Sequence, residues 1–245
     1  MSEVEKGAAG ARDWVEVADE PDHREVFSNE LVRVYVAFIR PGRETLYHRH
    51  DKDTLYVVLE GGRNYSSALA GSKAGAYVFP KSISLTRKVR WLLTRSLFGW
   101  TYLPKSVYVL MHNDGDPIIH RVRGAADNPS DMRMMGIEFL QPGGRNRPAS
   151  ACVQSLPMDY EDDTVRVHRL KFPAALRHLG SPARFTGLVI ALEGGLRIES
   201  SSAGGHEGAT HDLKEGNLLW NDGGRQFTFL GTEGSKPEAL LIRMK

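Results

Sequence analysis

The sequence predicts an all-β protein built as two tandem units, with one short helix inserted in the first. Three observations predict it. Short runs of β-branched and aromatic residues, punctuated by Gly, Pro and Asn/Asp pairs, dominate from Val32 onward. The segment Val58-Leu-Glu-Gly-Gly62 recurs as Ala191-Leu-Glu-Gly-Gly195, each copy ending an apolar run where a hairpin turn would fall. A length of 245 residues suits one large β domain or two small ones.

Taken in order, residues 1–30 are assigned to an N-terminal arm. The first unit, 31–145, holds expected strands at 32–39, 55–60, 76–79, 107–111, 118–122 and 132–140. Between Pro80 and Pro104 the pattern changes. Leu85, Val89, Leu92, Leu93, Leu97 and Trp100 recur at three-to-four-residue spacing among Arg87, Lys88, Arg90 and Arg95, which predicts a basic amphipathic helix within 81–105, with Gly99 as its stop. Gln141 to Ser150, with two prolines and two glycines, reads as a linker. The second unit, 146–245, holds expected strands at 165–170, 187–192, 196–200, 217–221, 227–230 and 239–244. Its last strand, Ala239-Leu-Leu-Ile-Arg-Met244, matches Met134-Met-Gly-Ile-Glu-Phe139 at the close of the first.

Composition excludes several classes. Charged residues make up 25% and hydrophobic residues 41%, values of a folded globular chain. No apolar run reaches the roughly 18 residues that a membrane-spanning helix needs. Cys152 is the single cysteine, so no internal disulfide forms; it reads as structural, and a reducing compartment is expected. The N-terminus carries acidic residues and no apolar stretch behind them, unlike a signal peptide, so a cytoplasmic location is expected. Net charge is +2, but it is unevenly spread: between Glu60 and Asp114 there are eight Lys/Arg and no acidic residue. The basic helix within that block has three readings: a solvated cap on a barrel mouth, a lid drawing in an anionic substrate, or an anionic-membrane contact that uses Trp91, Leu92, Leu93, Phe98 and Trp100. No fingerprint of a nucleic-acid-binding module is present.

The residues that carry chemistry are in Gly42-Arg-Glu-Thr-Leu-Tyr-His48-Arg-His50-Asp-Lys-Asp-Thr54-Leu-Tyr56. Side chains alternate along a strand, so His48 and His50 share a face, and Thr54 joins them if no bulge intervenes. Two imidazoles on one face are half a metal site. His120, opening an apolar run after the turn at Asp116-Pro117, is the best-placed third ligand, and neutral imidazoles suit Zn, Fe, Ni or Cu. His112 competes for that role. Asp51 and Asp53 are near in sequence, yet Asp53 should face away unless the strand bulges. Thr54 reads as an active-site hydroxyl or as barrel lining, and Tyr56, sharing the parity of His48, as a proton donor or as packing. His206 and His211 read as residues of a Gly-rich hairpin loop that bind metal only adventitiously.

With Gly42, His48, His50 and Gly61 at its spacings, and Pro117 and His120 like its second motif, the chain resembles the cupin superfamily. The resemblance covers Val32 to Leu140, and Val165 to Lys245 only through the repeat. It implies a bicupin: two double-stranded β-helix, or jelly-roll, barrels, the first bearing the metal. Where that family usually has glutamate, this chain has Thr54. In the second unit the positions equivalent to His48 and His50 are Ser181 and Ala183, and that of His120 falls near Arg225 or Gln226, so a metal-free second barrel is implied.

A three-histidine set leaves a divalent ion at full charge and favours a substrate that brings its own anion. The resemblance therefore implies a mononuclear Fe(II) dioxygenase acting on a small anionic organic molecule, with Zn, Ni or Mn as alternative metals. Competing expectations are a Zn or Ni lyase or isomerase in which Tyr56 moves the proton, and a non-enzymatic binding or sensor module. A homodimer is expected from exposed barrel edges, unless the chain pairs its own two barrels.

Overall fold

The structure is a computed structural model that describes residues 13–72, 76–113, 116–141, 156, 158–172, 185–202, 208–231 and 236–245. Cys152, Ser181, Ala183, His206 and the linker beyond Gln141 lie outside the described residues. The first unit contains β1 (Val15–Glu16), β2 (His23–Ser28), β3 (Val32–Ile39), β4 (His48–His50), β5 (Thr54–Glu60), β6 (Gly62–Ala68), β7 (Ala76–Val78), α1 (Leu85–Phe98), β8 (Trp100–Leu103), β9 (Tyr108–His112), β10 (Ile118–Gly124) and β11 (Met132–Phe139). They form two sheets, β1-β4-β10-β6-β8 and β2-β3-β11-β5-β9-β7. The second unit contains β12 (Met158–Glu161), β13 (Val165–Lys171), β14 (Thr186–Glu193), β15 (Leu196–Ser202), β16 (Ala209–Leu213), β17 (Leu218–Asp222), β18 (Arg225–Gly231) and β19 (Glu238–Met244). Its sheets are β12-β13-β19-β14-β17 and β16-β15-β18.

The period-2 rule explains how the two units meet. Along β5, Tyr56 and Val58 point into the first barrel, while Leu55, Val57 and Leu59 point out of it. Along β14, Val189 and Ala191 fill the second barrel, while Leu188, Ile190 and Leu192 point out. The outward rows pack together with Val34, Ile137, Leu240 and Ile242 in one buried cluster. The six-stranded sheet is therefore apolar on both faces, which is why 55–59 reads as a continuous hydrophobic run rather than an alternating one. Each fully buried aliphatic side chain in this layer contributes roughly 1.5–3 kcal/mol. The chain pairs its own two barrels.

Residues 15–28, expected in an N-terminal arm, instead supply strands to both sheets of the first barrel. β1 runs parallel to β4 and β2 antiparallel to β3. The insertion also differs in detail from its sequence reading. Ser84 caps the helix, its Oγ accepting from Arg87 N at 3.4 Å, and Gly99 ends it at φ 69° with its N–H on the Arg95 carbonyl. Trp100, read as part of the helical stripe, begins β8, whose pairing with β6 terminates any further helix. The inner side of α1 places Trp91 against Tyr77 and Phe79, with ring centroids 5.3 and 5.0 Å apart. Leu85, Val89, Leu92, Leu93 and Leu97 all face solvent.

Candidate metal centre

β4 carries His48 and His50, and β10 lies antiparallel beside it with His120 directly opposite His48. A strand pair thus converges three imidazoles with no loop involved. They are 1, 1 and 8% exposed, and one ring nitrogen from each lies within 4.8 Å of the others. Ring centroids are 4.7 to 5.1 Å apart.

The other ring nitrogens are occupied. His48 Nδ1 is 2.9 Å from the Leu46 carbonyl, which fixes Nδ1 as the protonated nitrogen and leaves Nε2 as a lone pair. His120 Nδ1 is 3.0 Å from Ser66 Oγ, and His50 Nδ1 is 3.3 Å from Tyr56 Oη and 3.7 Å from Glu138 Oε1. The Nε2 atoms of His50 and His120 are buried with no hydrogen-bond partner in the structure. Native proteins as a rule pair their buried polar atoms, so two orphaned imidazole nitrogens within a cluster of three histidines fit a cation better than an empty interior.

Electrostatics agree. Burial, reinforced by neighbouring His23, lowers the His48 pKa to about 4. Burial and then the mutual proximity of the imidazoles push His50 and His120 well below the usual histidine range. All three are neutral near pH 7, the state that ligates metal.

Thr54 does not share the site in the way strand parity predicts. The chain bends at 51–53 between β4 and β5, which belong to different sheets, so alternation does not carry across. The Thr54 hydroxyl donates to the Lys52 carbonyl at 3.0 Å, and the residue is not among those lining the cavity. Tyr56 does line it, accepting from Tyr35 Oη at 3.3 Å. Burial holds the Tyr56 hydroxyl protonated, far above the usual phenol range. His112 and Asp53 form a separate pair at 3.1 Å; His112 also contacts Tyr160 of the second barrel at 3.0 Å, and neither residue belongs to the three-histidine group.

Two groups escaped sequence reasoning. His23, at the start of β2, lies against His48 with ring centroids 4.7 Å apart and tilted by 55°, and lines the cavity. Its Nδ1 is 2.6 Å from Glu20 Oε2; burial would raise the Glu20 pKa, but the His23 contact and the amides of Leu46 and Asp22 bring it below the usual value. No spacing signal marks this pair. Glu138, fully buried in β11, was signalled only by being an acid inside the apolar run 134–139.

The cavity, about 200 Å³, is walled by Ile39, Leu103, Val109, Val122 and Met134 around the imidazoles. α1 closes one side of it with Trp91 and Arg95. In the second barrel, Arg225 and Gln226 open β18, and His48, His50 and His120 are the one such group found among the described residues.

No protein-family profile and no curated protein sequence matches the chain. Solved structures do. An oxalate decarboxylase analysed for its substrate binding mode aligns at 8% identity and TM-score 0.54, over 93% of this chain and 76% of its own. Vicilin from Capsicum annuum aligns at 12% identity and TM-score 0.50, over 94% and 85%. AerE from Microcystis aeruginosa aligns at 12% identity and TM-score 0.49, over 92% and 98%. The chain has the tandem cupin fold, an all-β arrangement of two jelly-roll barrels with a helical insertion in the first. That likeness covers both barrels and concerns the fold alone.

Proposed function

We propose that this protein is a mononuclear three-histidine dioxygenase, with Fe(II) held by His48, His50 and His120 and a small anionic organic molecule as substrate. The observation that carries the reading is the pair of buried, partnerless Nε2 atoms on His50 and His120, whose Nδ1 atoms are already engaged. A divalent ion held there supplies Lewis acidity and, as iron, the redox capacity for oxygen chemistry. The protein's own groups do the rest. The Leu46 carbonyl fixes the tautomer of His48, and Ser66 holds the His120 ring by its Nδ1. Tyr56 holds a proton next to His50, and the buried walls exclude water. His23, oriented by Glu20, takes up or returns the substrate proton, a role the sequence offers to Tyr56.

Elemental analysis of untagged protein, purified without chelator, combined with oxygen uptake on a panel of enolates, thiols and hydroxy acids, tests this. One iron per chain and stoichiometric oxygen uptake are expected. Bound zinc or nickel with turnover but no oxygen uptake would replace the reading with a lyase or isomerase, and no metal at all would replace it with a binding module.

A second reading concerns location. Leu85, Val89, Leu92, Leu93 and Leu97, between 45 and 75% exposed, form one apolar stripe on α1, flanked by Arg87, Lys88 and Arg90. A second copy of this helix would set like charges against each other, whereas an anionic lipid surface offers both an apolar phase and opposite charge. Among the described residues no helix is long and apolar enough to cross a membrane. Co-sedimentation with vesicles containing phosphatidylserine, lost in high salt and in Leu92→Ser/Leu93→Ser, is expected; equal retention by neutral vesicles would overturn it. A homodimer through one of the sheet ends that remain after this chain pairs its own barrels, such as β8 or β16, is measured by light scattering.

A further inference from the structure

We propose that Arg95 anchors a carboxylate of the ligand, so that the cavity takes a small, largely apolar organic acid gripped at one end by Arg95 and at the other by the metal centre. The inference deepens the reading of an anionic substrate and rests on it. Its first support is the charge of the cavity. Among the lining residues there is no aspartate and no glutamate, and Arg95 is the single lysine or arginine. A guanidinium is charged at every accessible pH, so the interior presents one fixed positive charge with nothing of opposite sign on its walls.

The second support is the way that charge is held. Arg95 lies 5.1 Å from the Tyr77 ring centroid and 5.3 Å from that of Trp91, over two rings that meet edge to face. A cation-π contact holds the guanidinium in place while its N–H donors, which point out from the edge, can still form paired hydrogen bonds. No carboxylate among the described residues forms an ion pair with Arg95. A preorganised, half-buried donor fork with no acid of its own suits a planar carboxylate.

The third support is position. A smaller cavity beside the main one is lined by Ser66, Tyr77, Arg95 and His120 among others, and these same four residues line the main cavity. Arg95 therefore stands on the His120 side, and its field contributes to keeping His120 uncharged. The walls between are apolar: Val109 and Met134 on the six-stranded sheet, Val122 on β10. A ligand that satisfies both ends has a carboxylate, a hydrocarbon body and a second donor for the metal. A purely polar dianion would leave those walls unmatched.

Calorimetric titration of the full chain with benzoate and with its neutral isostere benzamide, in chelator-treated and zinc-loaded forms, tests the anchor. Benzoate is expected to bind wild type about 10- to 100-fold more tightly than benzamide, the size of one charge-assisted pair. Arg95→Gln should erase that preference while leaving benzamide affinity and the melting temperature in place, Arg95→Lys should restore part of it, and Lys88→Gln, on the same helix, should leave it intact. Equal binding of the two probes to wild type, no benzoate binding in either form, or a preference that survives Arg95→Gln would overturn the proposal. Metal stoichiometry is recorded in parallel. A preference shown by protein that takes up no zinc on loading would leave the anchor standing and remove the metal reading, whereas full zinc uptake with no preference would do the reverse.

Discussion

Glu138 stands beside His50, its Oε1 3.7 Å from Nδ1, while the Nε2 atom of that ring is buried with no hydrogen-bond partner. In register it lies directly across from Thr54, the position where the cupin pattern has its acid. The carboxylate missing from the motif is thus present one strand over, as the neighbour of a ligand rather than as a ligand. Arg33 Nε donates to Glu138 Oε2 at 2.6 Å, which opposes but does not overcome burial, the dominant influence raising its pKa.

This arrangement predicts that Glu138→Gln weakens metal binding without removing a ligand. A carboxylate behind a ligating imidazole holds the ring's tautomer and raises its basicity, and its loss costs about 10- to 100-fold in affinity. Competition against a fluorescent chelator measures it. Affinity equal to wild type would reduce Glu138 to a partner for Arg33.

Stability of the metal-free protein should fall with acid earlier than carboxylate titration would make it. His48, His50 and His120 have folded-state pKa values below the unfolded value near 6.5, so the unfolded chain binds protons more readily. Their contribution is complete above pH 6.5 and is lost as pH drops toward the folded values. For His48 alone, whose pKa falls from 6.5 to about 4, the loss is about 3 kcal/mol. Glu138, with a raised pKa, runs the other way and offsets part of it at the acid end. Urea midpoints of chelator-treated protein from pH 7 to 4 check this; His48→Gln should flatten the slope, and an identical slope in that variant would refute it.

The predicted strand 32–39 coincides with β3 because Val, Tyr, Ile and Phe there both favour extended backbone and alternate burial, so local preference and packing agree. β6 (GRNYSSA) and β16 (ATHDL) were missed for the opposite reason: their residues carry no strand pattern, and ladder bonds from β10 and β15 hold them extended. The three imidazoles were legible because two lie on one strand and the third follows a turn. Thr54, Glu138 and His23 were not, since the bend at 51–53 and the pairing of β11 with β5 are properties of the folded sheet. The apolar residues of α1 were legible as a stripe, but periodicity alone cannot say which way a stripe faces.

Tyr35 reaches Tyr56 only because residue 136 has no side chain. The two are register partners across β3 and β11, and a Cβ on Gly136 would sit 2.4 Å from Tyr35 Cζ. Gly136→Ala should force the ring aside, at about 1–3 kcal/mol for overpacking. It should also loosen the Tyr56–His50 contact, so the metal affinity falls along with the melting temperature. Tyr35→Phe offers the control, keeping the ring and removing only the hydroxyl. Wild-type melting in Gly136→Ala would show that the ring repacks freely.

Because β5 and β14 turn their outward rows into one shared cluster, the two barrels should not unfold separately. Ile190, fully buried on the outward row of β14, packs in the same layer as Leu55, Val57 and Ile137 of the first barrel. Ile190→Ala removes buried volume at that layer, and a cost of about 2–5 kcal/mol follows from lost transfer energy and the cavity left behind. If the layer couples the barrels, that cost appears in the first barrel's stability as well as the second's. Trp220 reports on the second barrel and stacks on Phe27 of the first at 5.7 Å, while metal release reports on the first. In urea both signals should share one midpoint in wild type and shift together in Ile190→Ala. Two separated transitions, with metal retained after Trp220 is exposed, would mean that the first barrel stands without its neighbour and that the interface between them adds little to the site.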